Sequence, residues 1–113
     1  MHTNQVMNQY IELLEHLKTL QAEKARVSNE GTVLVDCWIA ISKPGGTARS
    51  TNAHWQLRSR KPQFAGKKSK YLKAAEIGEY EAAIARGKQL KQLNKQIESL
   101  SQRISRVEKI IAV

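Results

Sequence analysis

The residues best equipped for chemistry crowd the middle of the chain. Arg49, Arg58 and Arg60 carry forked donors, and Lys61, Lys67, Lys68, Lys70 and Lys73 carry compact ammonium groups. From Lys43 to Lys73 there is no carboxylate at all. An arginine fork can grip a phosphate or the edge of a guanine, and a glutamine such as Gln56 can read adenine. Lysines at irregular spacing bring charge to phosphates with little geometric selectivity. His54 adds a further polar group, and Trp38 offers a surface on which an unpaired base can stack.

The charge is concentrated there. Residues 31–75 hold nine Lys/Arg against one acid, residues 1–30 three against four, and residues 76–113 seven against five, within a net charge of +9 over 113 residues. A segment that repels itself this strongly must be solvated or meet a polyanion, and nucleic acid is the polyanion a small basic protein most often meets. A nuclear-localisation reading of the cluster finds no other support in the chain.

Other chemistries find little here. His2, His16 and His54 fall on three different predicted elements, and no Cys/His/carboxylate grouping has metal-ligand spacing. The single cysteine, Cys37, lies in an apolar run and reads as a buried structural thiol. Gly45-Gly46-Thr47 lacks the spacing of a phosphate loop and leads into a strand. Glu12, Glu15, Glu98 and Glu108 are polar-face residues of helices. Asp36 is expected to pair with Arg58 or Arg60 across a hairpin. With no nucleophile, base and orienter to propose, the expectation is a non-enzymatic protein without metal or cofactor.

The elements that must hold these residues follow from hydrophobic periodicity. Val6, Tyr10, Leu13, Leu17, Leu20 and Val27 keep helical steps of three and four, Lys24 taking one turn, so a helix is predicted from about Thr3 to Val27. Thr3 or Asn4 would cap its start, and Asn29 or Gly31 would supply a left-handed stop. From Thr32 to Ser42 the period becomes two, with Val33, Val35, Cys37, Ile39 and Ile41 on one face and Leu34, Asp36 and Trp38 on the other. Lys43-Pro44-Gly45-Gly46 signals a turn, and a loop from Thr47 to Asn52 follows. A returning strand is predicted from Ala53 to Arg60, with Trp55 and Leu57 joining the Val/Ile face and His54, Gln56, Arg58 and Arg60 sharing the face of Trp38. A one-residue slip would exchange the faces. After an interruption at 61–66, Lys67 to Lys73 forms a third short strand.

A long helix is expected from Ala74 or Ala75 to Ile111. Leu90, Leu93, Ile97, Leu100, Ile104, Val107 and Ile111 make its seam, while Ile77, Tyr80 and Ile84 lie nearly opposite, so the helix changes partners near Gly87, a candidate bend. Its first turns are expected between the sheet and another element, with Ala75, Ala82 and Ala83 allowing a close approach. Lys88, Lys91, Lys95, Gln102, Arg106 and Lys109 form a polar stripe away from the seam. Because this helix outruns the first, its surplus needs a partner, and a homodimer through Leu93, Ile97, Leu100, Ile104, Val107 and Ile111 is expected.

Trp55-Gln56-Leu57-Arg58, Lys70-Tyr71-Leu72 and the run from Tyr80 to Leu90 together resemble small uncharacterised proteins of prokaryotic mobile elements and cyanobacterial genomes. The resemblance covers residues 53–97. It implies a bacterial or phage setting and a nucleic-acid context, and it carries no residue roles with it.

The expected architecture is therefore α+β in one domain: a helix over 1–30, a basic β-hairpin or three-stranded meander over 31–73, and a long coiled-coil-like helix over 74–113. The N-terminus has neither a basic n-region nor an apolar h-region and no stretch reaches the length of a membrane span, so a cytoplasmic protein without a membrane is expected. The expected function is binding of DNA or RNA by the basic hairpin region, in the service of a mobile element or phage. The rival is a regulatory adaptor or phage-type inhibitor whose helices or basic surface dock on an acidic protein.

Overall fold

The computed structural model describes residues 2–42 and 54–112, without the side chains of residues 2–4 and 42. Helix α1 spans His2–Asn29, strands β1, β2 and β3 span Cys37–Ser42, His54–Ser59 and Ser69–Leu72, and a 3₁₀ turn over Ala74–Glu76 leads into helix α2, Ile77–Ile111. This is the α+β order of helix, three-stranded antiparallel sheet and long helix. The turn at 43–46, the loop at 47–52, Arg49 and the expected Thr3 and Asn4 caps lie outside the described residues or side chains.

Two compact units emerge, residues 32–88 and residues 1–31 with 89–113, and α2 passes from the first into the second. In the unit of residues 32–88 the sheet has the order β1-β2-β3. Ile39 lies opposite Leu57, Trp38 opposite Arg58, Trp55 opposite Leu72 and Gln56 opposite Tyr71. Directly paired residues of antiparallel strands project to the same side. The inner face therefore collects Cys37, Ile39, Trp55, Leu57 and Leu72. Cys37, Leu57 and Leu72 are buried, with Leu34, Ile39, Trp55, Phe64, Tyr80 and Ile84 packed against them. Leu57, in the central strand, is wholly enclosed. Complete burial of such a side chain contributes about 1.5–3 kcal/mol.

The β2–β3 connection ends in a two-residue turn. Phe64 and Lys67 exchange both backbone hydrogen bonds at 3.0 Å. Ala65 and Gly66 between them have φ of 52° and 81°. Two successive positive φ values are the signature of a type I′ turn, whose twist matches that of the flanking strands. Gly66 meets this demand without cost; Ala65 does not.

The first strand is shorter than its alternation predicts, for residues 32–36 are not strand. Asp36 adopts a φ of 57°, which reverses the parity of the chain, so Leu34 turns toward the core and Val35 outward. The same segment is strapped along α2: the Leu34 N–H donates to the Ala83 carbonyl at 3.1 Å, and the Arg86 Nε–H donates to the Thr32 carbonyl at 2.8 Å. This strap is the second element on the early turns of α2. Tyr80, Ala83, Ile84 and Gly87 have the spacing of one helical stripe, so strap and sheet meet neighbouring positions rather than opposite sides. Ala83 is buried while Ala82 is exposed.

Gly87 faces the strap, where a side chain would meet the Leu34 backbone, and α2 continues through it to Ile111. Neither Asn29 nor Gly31 takes the left-handed conformation expected of a helix stop. Instead α1 closes with the Glu30 N–H on the Val27 carbonyl at 3.3 Å.

In the other unit α1 and the later part of α2 run antiparallel. Gln9, Leu13 and His16 line one groove with Arg103, Arg106 and Val107, while His16 and Leu20 line the next with Lys95, Ser99 and Leu100. Leu93, Leu100 and Ile104 are buried within the single chain, Ile97 and Val107 are half-buried, and Ile111 is exposed. The expected length surplus disappears because the first turns of α2 belong to the other unit, which leaves 23 residues, 89 to 111, to lie along the 28 of α1.

Candidate nucleic-acid interface

The side of the sheet away from the core is built by the alternation that fills the core. In β2, Trp55, Leu57 and Ser59 turn inward, so His54, Gln56 and Arg58 must turn outward in a single row on the central strand. Trp38, opposite Arg58 on β1, stands on one flank. Tyr71, opposite Gln56 on β3, stands on the other. None of the three strands contains an Asp or a Glu.

These outward groups are organised among themselves. Arg58 donates from Nε (3.1 Å) and Nη2 (2.9 Å) to the amide oxygen of Gln56, so the guanidinium lies along the strand and keeps its Nη1 donors for other acceptors. The His54 ring meets Tyr71 edge to face, with centroids 6.3 Å apart and an interplanar angle of 76°. Tyr71 is 72% exposed and Trp38 43%. Two aromatic surfaces thus remain available at either side of a polar row.

The hydrogen bonds that fix the β1 end of this face come from Gln63. Its amide nitrogen donates to the Val35 carbonyl (3.1 Å) and to the Ser59 hydroxyl (2.8 Å), and its amide oxygen accepts from the Cys37 thiol (3.7 Å). Ser59 is buried and also accepts the Lys61 N–H at 3.3 Å. Gln63 therefore ties the start of β1 to the end of β2.

Of the residues expected at a binding site, Trp38, His54, Gln56 and Arg58 come together on the outer face. Arg60 follows the end of β2, and its N–H donates to the Asp36 carbonyl at 3.4 Å. Arg60, Lys61, Lys67 and Lys68 are exposed around the β2–β3 connection, and Lys73 is exposed just beyond β3. Lys70 goes the other way. It is paired with Leu57 on the inner parity, and its ammonium donates to the Tyr80 hydroxyl at 2.8 Å while lying 5.3 Å from the ring centroid. The Tyr80 hydroxyl holds the Lys70 amine above the usual lysine range. Arg49 lies outside the described residues.

Tyr71 is the member that sequence reasoning missed. The signal was present: Ser69 and Tyr71 alternate with Lys70 and Leu72, and burying Leu72 obliges Tyr71 to face outward. Among the described residues no group of three or more His, Cys, Asp or Glu could hold a metal ion, and no helix is long and apolar enough to cross a membrane. Comparison with protein-family models found no match, and comparisons with curated proteins and with solved structures found none either.

Proposed function

We propose that this chain binds nucleic acid through the outer face of its three-stranded sheet. The observation that carries the reading is the row His54, Gln56 and Arg58 on the central strand, flanked by Trp38 and Tyr71, in a sheet without a carboxylate. With strands about 4.8 Å apart, three of them span about 10 Å between the outer axes, a width comparable with the roughly 12 Å of a DNA major groove. Arg58 and Gln56 are the groups that can address base edges or phosphates. Trp38 and Tyr71 provide stacking surfaces. Arg60, Lys61, Lys67, Lys68 and Lys73 surround the face with positive charge for the backbone, which supplies most of the affinity.

The test is fluorescence anisotropy of short single- and double-stranded DNA and RNA titrated with the full chain at two salt concentrations. If about six phosphates are contacted, affinity falls by roughly three orders of magnitude between about 50 and 200 mM salt. A fall of less than tenfold, or no binding at the lower salt, would overturn the reading and leave the basic surface to an acidic protein partner.

A further inference from the structure

The outer edge of β1 has no strand beside it among the described residues. Its backbone parity follows from two hydrogen bonds: the Ser59 N–H turns to Lys68 on the β3 side, and the Arg60 N–H turns to Asp36 on the β1 side. In β2 the residues pointing at β1 are therefore His54, Gln56 and Arg58. They engage Ser42, Ala40 and Trp38, so Cys37, Ile39 and Ile41 direct their N–H and C=O groups to the free edge.

That edge is also apolar. Val35 is 41% exposed and Ile41 53%, with Trp38 alongside. Natural edge strands are normally guarded by charge, proline or a bulge, and the six residues of β1, CWIAIS, contain no charge and no proline. Beneath the edge runs a groove of about 310 Å³, lined by Cys37, Trp38 and Ile39 of the strand and by Glu81, Ile84, Ala85 and Lys88 of α2. The four helix residues have the spacing of one face, with an acid at one end, a base at the other and two apolar side chains between. A two-fold axis passing between Ile84 and Ala85 would turn this pattern onto itself with opposite charges facing.

We propose that a second copy of this chain docks on this edge, its β1 running antiparallel to the first about an axis at Ile39, with Glu81 facing Lys88 of the other copy and the reverse. The occupant is argued from charge. The groove is self-complementary under two-fold rotation, as an isologous interface requires. Pairing satisfies the outward backbone groups of Cys37, Ile39 and Ile41, and the two α2 faces close over Ile84 and Ala85. The seam residues Leu93, Leu100 and Ile104 take no part, because the chain's own helices bury them. The result is a six-stranded sheet.

The test is sedimentation of the full chain without nucleic acid, so that its outcome is separate from that of the binding experiment. The native chain is expected to be a dimer at about 100 µM. Glu81→Lys and Lys88→Glu, both at exposed positions, each set like charges face to face twice and should weaken the dimer about tenfold or more, while the double exchange restores it. As a second measurement, Ile39→Cys in a Cys37→Ser background should give a covalent dimer on oxidation, since facing positions of this kind lie about 5.5 Å apart at Cα, within disulfide range. A monomer at that concentration would overturn the proposal. So would a dimer that neither single charge reversal weakens, or one whose double exchange fails to recover.

Discussion

A methyl group on Gly87 would sit 1.8 Å from the carbonyl oxygen of Leu34 and 2.6 Å from its carbon. Both are backbone atoms, already committed by the hydrogen bond from the Leu34 N–H to the Ala83 carbonyl. The strap therefore reaches α2 only because position 87 has no side chain.

Gly87→Ala should destabilise the protein by about 2 kcal/mol or more, although alanine favours a helix over glycine by about 1 kcal/mol. Gly78→Ala, in the same helix with nothing within 4 Å of the added carbon, should instead stabilise by up to about 0.5 kcal/mol. Urea unfolding of the two variants measures the contrast. Equal effects at both positions would mean that the close approach carries no energy.

Arg58→Ala and Tyr71→Ala should leave the unfolding midpoint nearly unchanged, because both side chains are exposed. Each should weaken nucleic-acid binding by about 1–3 kcal/mol, or roughly 5- to 150-fold. Tyr71→Phe should keep most of the affinity if stacking is what Tyr71 contributes. Lys70→Ala serves as the control; the Lys70 ammonium is turned to Tyr80 and should contribute less to binding than Arg58.

Gln63→Leu should cost about 1–3 kcal/mol of stability, since it removes the amide donor to the Val35 carbonyl and to the buried Ser59 hydroxyl at once. Thermal unfolding followed by circular dichroism reads the loss. A variant as stable as the native chain would show that water replaces the amide without penalty.

At the end of α1, Arg26 is hydrogen-bonded and ion-paired to Glu23 and ion-paired to Glu30. The hydrogen bond from Arg26 holds the Glu23 carboxyl below the usual glutamate range. A carboxyl whose folded pKa is depressed adds stability above its unfolded pKa of about 4.3 and loses it as the pH falls through the lower folded value. Stability of the native chain should therefore decline more steeply than that of Arg26→Ala below about pH 4.3. Parallel acid titrations of the two proteins, followed by helicity, decide this.

How far such features can be read without coordinates depends on how local their cause is. Both helices and the two strands of the hairpin follow from periodicity, because a segment must present its apolar residues to one side whatever that side meets. The same rule carried His54, Gln56, Arg58 and Trp38 to one face as soon as Trp55 and Leu57 were assigned to the core. Tyr71 needed only one more application of it. Alternation misleads at Asp36, where one positive φ shifts the parity of everything before it and no apolar pattern records the change.

The rest was decided by tertiary structure. Lys70 counts in the sequence as one more basic residue, yet pairing opposite Leu57 sends it to Tyr80 and away from the arginine row. The helix seam reads equally well as a partner for α1 or for another chain, since periodicity states that a face must be covered and never by what. Only the strap, by holding the first turns of α2 in the sheet unit, left the later turns to match α1. Charge, pattern and spacing are properties of neighbours along the chain; which of two apolar faces meet is settled by lengths, register and the close approach that one glycine permits.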